Sequence, residues 1–430
     1  MFYMRSSNLK TCKILVLLAV TTTGLFIMAC DSKKPDGRAS DSLAQTQDSV
    51  RSRFKKGSFG YDLDFLKAHK SAITLTAPDN EAAQIVVVAA FQGRVMTSTA
   101  GGPTGASYGW LNFKLIESGE NQPHMNAFGG EERLWLAPEG GQFSVYFKPG
   151  EPFDFAHWQT PALIDTEPFD VKEVLKSSVI FTKKAGLNNH SGTRFDFEIT
   201  RTIKALGRDE VRTFLKVKPG KDVKLVAFES KSELKNTGAD WQKDRGLLAI
   251  WNLGMFNASQ NTTIVVPVKP DANGKVGLTD DYFGKIPTDR LKTKAFVVYF
   301  KGDANARGKI GVAPASAKSV AGSYDGRVLT IVQFDVNPQG DYLKSTWERH
   351  KNPYKGDVLN SYNDGSNEGK QMGRFYELES TSEARALKKG ERLIHHHRTF
   401  HFEGDKIQLH AIAEAVLGVG LSEIEDGLKE

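Results

Sequence analysis

From about Tyr61 onward, short segments rich in Val, Ile, Phe, Tyr and Thr recur between clusters of Gly, Asn and Asp, and several alternate apolar with polar residues. Residues 84–90, 141–148, 178–183, 194–203, 247–251, 262–268, 295–301, 328–334, 373–380 and 393–402 read as such strands. A side chain that changes face at every position suits an antiparallel sheet with one buried face. Helical spacing is scarce. It is clearest at the end, where Asp405 can cap a helix with the stripe Leu409, Ile412, Ala413 and Val416. No repeat of propeller or solenoid length is visible. A chain of 430 residues with 40% apolar side chains and 40 glycines is therefore expected to be all-β, one large sandwich of roughly twenty strands with a short C-terminal helix.

The first residues read as an address. Arg5, Lys10 and Lys13 precede an apolar run over 14–28, the charge order and length of a secretory signal, too short for a comfortable membrane span. The run ends in Ile27-Met28-Ala29-Cys30, which resembles a bacterial lipobox, and this implies that Cys30 is diacylated on sulfur and becomes the new first residue after cleavage. Residues 1–29 are thus expected to be a lipoprotein signal, 30–56 a polar tether and 57–430 a single domain, lipid-anchored in the cell envelope, in the periplasm or on the outer-membrane surface. Cys12 and Cys30 are the only cysteines, so once the signal is removed the chain has none for a disulfide, a zinc-thiolate site or a cysteine nucleophile. The 57 basic and 51 acidic residues form no polybasic block, which gives no support to a nucleic-acid partner.

Three segments carry more polar chemistry than a sandwich needs. In Gly129-Gly-Glu-Glu-Arg-Leu-Trp-Leu-Ala-Pro-Glu139, an extended backbone puts Glu131, Arg133 and Trp135 on one face. An indole can cover the C–H face of a pyranose while charged groups bond its hydroxyls. The same pattern also suits a cross-strand ion pair beside a packed tryptophan. In Phe375-Tyr-Glu-Leu-Glu379, Glu377 and Glu379 point the same way about 7 Å apart. Their repulsion can lift a carboxyl pKa into the range of general acids and bases, unless the strand face is simply solvated. In 393–401, His395, His397 and His401 share a face, but His395 and His401 lie about 20 Å apart on a straight strand, too far for one mononuclear metal site. No metal is assigned, and no motif identifies a cofactor.

Two further segments are candidates. His157 and Trp158 lie with Asp165 and Glu167 in a proline-bounded loop, a common place for function on a rigid scaffold. Asn360-Ser-Tyr-Asn-Asp-Gly365 is rich in oxygen ligands, Asn363 and Asp364 among them, and also reads as a plain turn.

Read in order, GGEERLWLAPEGGQFSVYF, HWQTPALIDTEPF, WNLGMFN, LNSYNDG, FYELESTSEARALKKGE and HRTFHF resemble an uncharacterised family of bacterial lipoproteins related to the galactose mutarotase-like (aldose epimerase) superfamily. The resemblance runs from about residue 57 to the end. It implies a β-supersandwich with a concave carbohydrate-binding face, a late-strand carboxylate base at Glu377 or Glu379, and a central histidine as acid. Asn252 and Leu253 stand where that histidine would be, so an imidazole would have to come from His157 or His190 through folding. Two readings follow. One is a sugar-active enzyme, with catalytic Glu377 and Glu379 and with Glu131, Arg133, Trp135, His157, Trp158, Asn252, Asn363 and Asp364 binding a carbohydrate. The other is an envelope lipoprotein that binds glycan without changing it. The first expects Glu131, Arg133, Asn252, Asn363 and Glu377 to meet in one cleft.

Overall fold

The four longest strands, Arg392–Glu403, Lys224–Asn236, Arg194–Ala205 and Ser178–Asn188, lie side by side toward one edge of a ten-stranded antiparallel sheet. The structure, a computed structural model, describes residues 52–366 and 371–429. The signal over 1–29, Cys30 and all but the last residues of the expected tether lie outside the described residues. Of the tether's described end, Ser52 donates a hydrogen bond to Asp64 at 2.8 Å. No described helix is long and apolar enough to cross a membrane.

Period-two alternation is plainest in Arg194–Ala205, where Phe195, Phe197, Ile199, Arg201, Ile203 and Ala205 are buried and the residues between them are not. A six-stranded antiparallel sheet lies against the ten-stranded one, and Ile310, Val312 and Leu378 of the first pack with Ile264, Val298 and Phe300 of the second. A separate three-stranded sheet spans Ala72–Thr99. The chain is all-β, as its alternation requires.

The helix Lys406–Leu417 covers the outer face of the larger sheet. Asp405 caps it by accepting from the Ile407 amide at 2.8 Å, and Gly418 ends it in the left-handed conformation. Leu409, Ile412 and Leu417 pack on Tyr299, Tyr324 and Leu329, each burial stabilising the fold by about 1.5–3 kcal/mol.

Strands Arg133–Ala137, Leu359–Asn363 and Phe375–Thr381 of the smaller sheet are buried at every position, because both of its faces are covered. Residues 359–363 are therefore an inner strand and not a turn. Residues 141–148 form no strand. Val145, Tyr146 and Phe147 are buried in succession without alternation, and the loop is fixed by single bonds from the Val145 amide to Pro138 and from the Gln159 amide to Tyr146.

Between the two large sheets runs a polar layer. Arg201 pairs with Glu132 and also donates to Ser230 at 3.0 Å, with both charged side chains fully buried. The hydroxyl of Ser380 lies 2.8 Å from both His395 and His397, donating to one ring and accepting from the other. His401 Nε2–H donates to Glu131 at 3.0 Å, which leaves Nδ1 to accept from Thr330 at 2.9 Å. The three imidazoles are thus divided between two separate hydrogen-bond groups.

Candidate functional site

The outer face of the six-stranded sheet, turned away from the larger sheet, is set by register. Arg133 lies opposite Leu253, Leu253 opposite Glu379, and Glu379 opposite Asn360. One step along, Met255 lies opposite Glu377, Glu377 opposite Tyr362, and Tyr362 opposite Lys309. Side chains on one strand face recur every second residue, so this pairing brings five distant segments to one place.

Arg133 donates to Glu377 Oε1 at 2.9 Å, and its guanidinium carbon lies 4.5 Å from the centroid of the Trp135 ring. Glu379 Oε2 accepts from Lys309 Nζ and from Trp251 Nε1, both at 3.0 Å. Lys309 also lies over the Trp251 ring at 5.0 Å. Trp135 and Trp251 meet edge to face with centroids 5.5 Å apart. The neighbouring Asp364 accepts from Tyr362 at 2.8 Å and from the Gly373 amide at 2.9 Å.

The electrostatics are uneven. Burial pushes Glu377 up to about 7; Arg133 opposes this and Glu379 adds to it. Burial works against the Lys309 ammonium, but Glu379, Glu139 and Glu377 outweigh it and its pKa is raised. Burial likewise raises Glu139, against the opposing influence of Lys309 and of a 3.1 Å hydrogen bond from Trp347. A carboxyl near neutrality beside a fixed ammonium can give or take a proton at ordinary pH.

Arg133, Trp135, Trp251 and Glu377 are buried, and the half-buried Lys309, Glu139, Trp347 and Tyr282 border them toward solvent. Three polar atoms in the cluster have no hydrogen-bond partner among the described residues: Glu379 Oε1, Arg133 Nε and Trp135 Nε1. A cavity of about 280 Å³ lies elsewhere, lined by Asp222, Lys224, Tyr324, Arg327, Glu403 and Lys406, none of which belongs to this cluster.

Of the residues singled out in the sequence, Arg133, Trp135, Glu377 and Glu379 come together, with Asp364 beside them through Tyr362. Glu131 does not join them. It precedes the strand, and the positive φ of Gly129 (+94°) and Gly130 (+112°) turns the chain so that its side chain enters the inter-sheet layer and bonds Ser98 and His401. Asn252 alternates with Trp251 and Leu253, faces the same interior and donates to Glu132. Asn363 holds the 304–306 segment, accepting from the Ala304 amide at 2.9 Å and donating to the Ala306 carbonyl at 2.7 Å. The five-residue cleft is therefore reduced to Arg133 and Glu377.

His157 pairs with Asp154 at 2.6 Å near the surface, and His190 bonds the Glu151 carbonyl at 2.8 Å. Neither imidazole bonds Glu377 or Glu379. Trp158 is buried against Tyr146 and Trp347. Lys309, Trp251, Glu139 and Trp347 escaped sequence reasoning. The alternation in Trp251-Asn-Leu-Gly-Met255 marks Trp251 as facing with Leu253, but nothing local ties Lys309 to a carboxylate 70 positions away.

No curated protein matches the chain in sequence. Among solved structures, it is similar to an aldose 1-epimerase candidate from Escherichia coli K12, at 10% identity and a TM-score of 0.45 over 77% of this chain and 98% of that one. It is also similar to a galactose mutarotase-like protein from Lactobacillus casei, at 11% identity and a TM-score of 0.43 over 77% and 99%. A galactose mutarotase related enzyme from Lactobacillus acidophilus gives 10% identity and a TM-score of 0.42 over 78% and 98%. Residues 57–428 match one family throughout, and the chain belongs to it: DUF6786, a family of unknown function.

Proposed function

We propose that the outer face of the six-stranded sheet binds a saccharide and that Glu377 exchanges a proton with it. The observation that carries this reading is the carboxylate pair on one strand face, with Glu377 on Arg133 and Glu379 on Lys309 and Trp251, beside three unpartnered polar atoms. A sugar hydroxyl both donates and accepts, so it suits Glu379 Oε1 and the Arg133 and Trp135 N–H groups together. In this reading Glu377 is the proton acceptor, Arg133 orients it, and Lys309 holds Glu379 in place.

The test is anomeric exchange, followed by NMR saturation transfer over a panel of aldoses. Glu377→Gln is expected to lower any exchange at least about 100-fold, the usual contribution of a positioned general base. Unchanged exchange in that variant removes Glu377 from the chemistry.

A second reading is glycan binding without turnover. It is favoured by Leu253, an apolar side chain in register between Arg133 and Glu379, and by the lack of an imidazole bonded to either carboxylate among the described residues. Calorimetric binding that Trp135→Ala weakens, with no product from any bound sugar, selects it.

The proposal places the chain in the cell envelope, held by lipid on Cys30. The support is the charged, apolar and Ala29-Cys30 order of the N-terminus. Cys30→Ser is expected to abolish incorporation of labelled fatty acid into the protein; unchanged incorporation counts against the anchor.

A further inference from the structure

We propose that Arg307 makes this face selective for an acidic saccharide, its guanidinium taking the carboxylate of a hexuronate whose ring lies toward Glu377. This rests on the saccharide reading above and names the substrate class for it.

Register places Arg307 on the face already described. It stands two residues before Lys309 and so points the same way, while Lys309 lies opposite Tyr362 and Tyr362 opposite Glu377. Two strand spacings and one step of two residues along put the Cα atoms of Arg307 and Glu377 about 12 Å apart. The two side chains with one hexuronate between them span that distance. Direct contacts make the same link. The Arg307 guanidinium carbon lies 3.7 Å from the centroid of the Phe283 ring, and Phe283 meets Tyr362 edge to face with centroids 6.0 Å apart. Arg307 is exposed and Phe283 is 48% exposed, so this end of the face meets solvent.

The charges on the face do not cancel in pairs. Glu377 holds Arg133 and Glu379 holds Lys309, whereas Arg307 forms no ion pair and donates no hydrogen bond among the described residues. Asp364, beside it across the strands, already accepts from Tyr362 at 2.8 Å and from the Gly373 amide at 2.9 Å. Burial also raises the pKa of Asp364, Glu139 and Glu377, which favours their neutral forms. The unmatched group is therefore a cation. A guanidinium held over an aromatic face keeps its edge N–H groups free, and their planar fork fits a carboxylate through two parallel hydrogen bonds. Because the ring fixes the fork before a ligand arrives, less entropy is lost on binding.

The experiment is calorimetry with galacturonate, glucuronate, galactose and glucose on wild type, Arg307→Gln, Arg307→Lys and Phe283→Leu. Wild type is expected to bind each uronate at least about tenfold more tightly than its neutral counterpart, the scale of a charge-assisted contact. Arg307→Gln is expected to abolish that preference and leave the neutral sugars unchanged. Arg307→Lys, which keeps the charge without the fork, is expected to retain a small part of it. Phe283→Leu is expected to lessen the preference alone and to add nothing when combined with Arg307→Gln. Equal affinity of wild type for acidic and neutral sugars, a preference that survives Arg307→Gln, or equal weakening of both kinds overturns the assignment. A uronate preference lost in Arg307→Gln, with anomeric exchange unchanged by Glu377→Gln, keeps Arg307 and rejects the acid–base reading. Exchange that Glu377→Gln abolishes, with no uronate preference, keeps Glu377 and rejects Arg307. Binding of none of the four sugars rejects both.

Discussion

Arg133 and Glu377 stand 244 residues apart in sequence, yet one guanidinium N–H reaches the other's carboxylate at 2.9 Å. The contact crosses the strand between them, whose Met255 also lies 3.4 Å from Arg133 Nη1. Two consequences follow from its burial: the pair is strong only while both charges are present, and removing one leaves the other without compensation.

Arg133→Met is therefore expected to destabilise the fold more at pH 8 than at pH 5. At pH 5 Glu377, with its pKa near 7, is protonated and needs no partner. At pH 8 the lone carboxylate is costly, on the order of 3–5 kcal/mol if it stays charged. Urea unfolding at both pH values measures the difference, and an equal loss at each means that Glu377 is never ionised.

The pH dependence of stability has two opposing parts. Burial pushes His395 and His397 down to about 3, with Asp335 opposing at His395 and the Arg201 charge reinforcing at His397. The unfolded chain then binds more protons, so this stabilisation is complete above about 6.5 and is lost as pH falls toward 3. Glu377 has the reverse sign. Its folded pKa of about 7 exceeds the ordinary 4.5, so the native chain binds the extra proton and stability falls as pH rises between those values. Each of these groups therefore contributes over its own window, the two histidines favouring the fold as pH rises and Glu377, together with Asp62, which burial pushes up to about 6, opposing them. Melting temperatures across pH 4–8 check this. Glu377→Gln should flatten only the 4.5–7 part, and His397→Asn should lessen the acid loss; a His397→Asn profile identical to wild type removes that histidine from the account.

Lys309→Met is expected to cost about 3 kcal/mol, since Glu379 is fully buried and would keep only the Trp251 N–H. Lys309→Met with Glu379→Gln should recover much of that loss. Chemical denaturation of the three variants forms the cycle, and strict additivity shows that the pair is not coupled.

Between the sheets, Arg201→Met should be more damaging than the double change Arg201→Met with Glu132→Gln. The single variant strands a buried carboxylate that Asn252 alone then partners, whereas the double variant leaves a neutral amide. The difference is expected on the order of 2 kcal/mol in urea unfolding, and a double variant no better than the single one contradicts it.

Alternation along the chain was sufficient to place most strands and the capped helix at Lys406–Leu417, because a period-two or period-3.6 pattern is a local property that burial of one face imposes directly. It also put Glu377 with Glu379 and Arg133 with Trp135, neighbours two apart on one strand. It could not place Glu131 or Asn252. Glu131 sits before the strand proper, where two glycines with positive φ break the alternation, and Asn252 faces inward on a strand whose both faces are buried. Residues 141–148 failed for a related cause: consecutive apolar side chains can fill a core from a loop as well as from a strand.

What the sequence determined by itself is the all-β class, the strand faces and which groups are available for chemistry, since these depend on neighbours a few residues away. Tertiary structure alone decided that Lys309 and Trp251 hold Glu379, that Arg133 holds Glu377, and that His395, His397 and His401 face a buried polar layer. Those outcomes depend on strand order and register between segments tens to hundreds of residues apart, and a slip of one residue would send every one of these side chains to the opposite face.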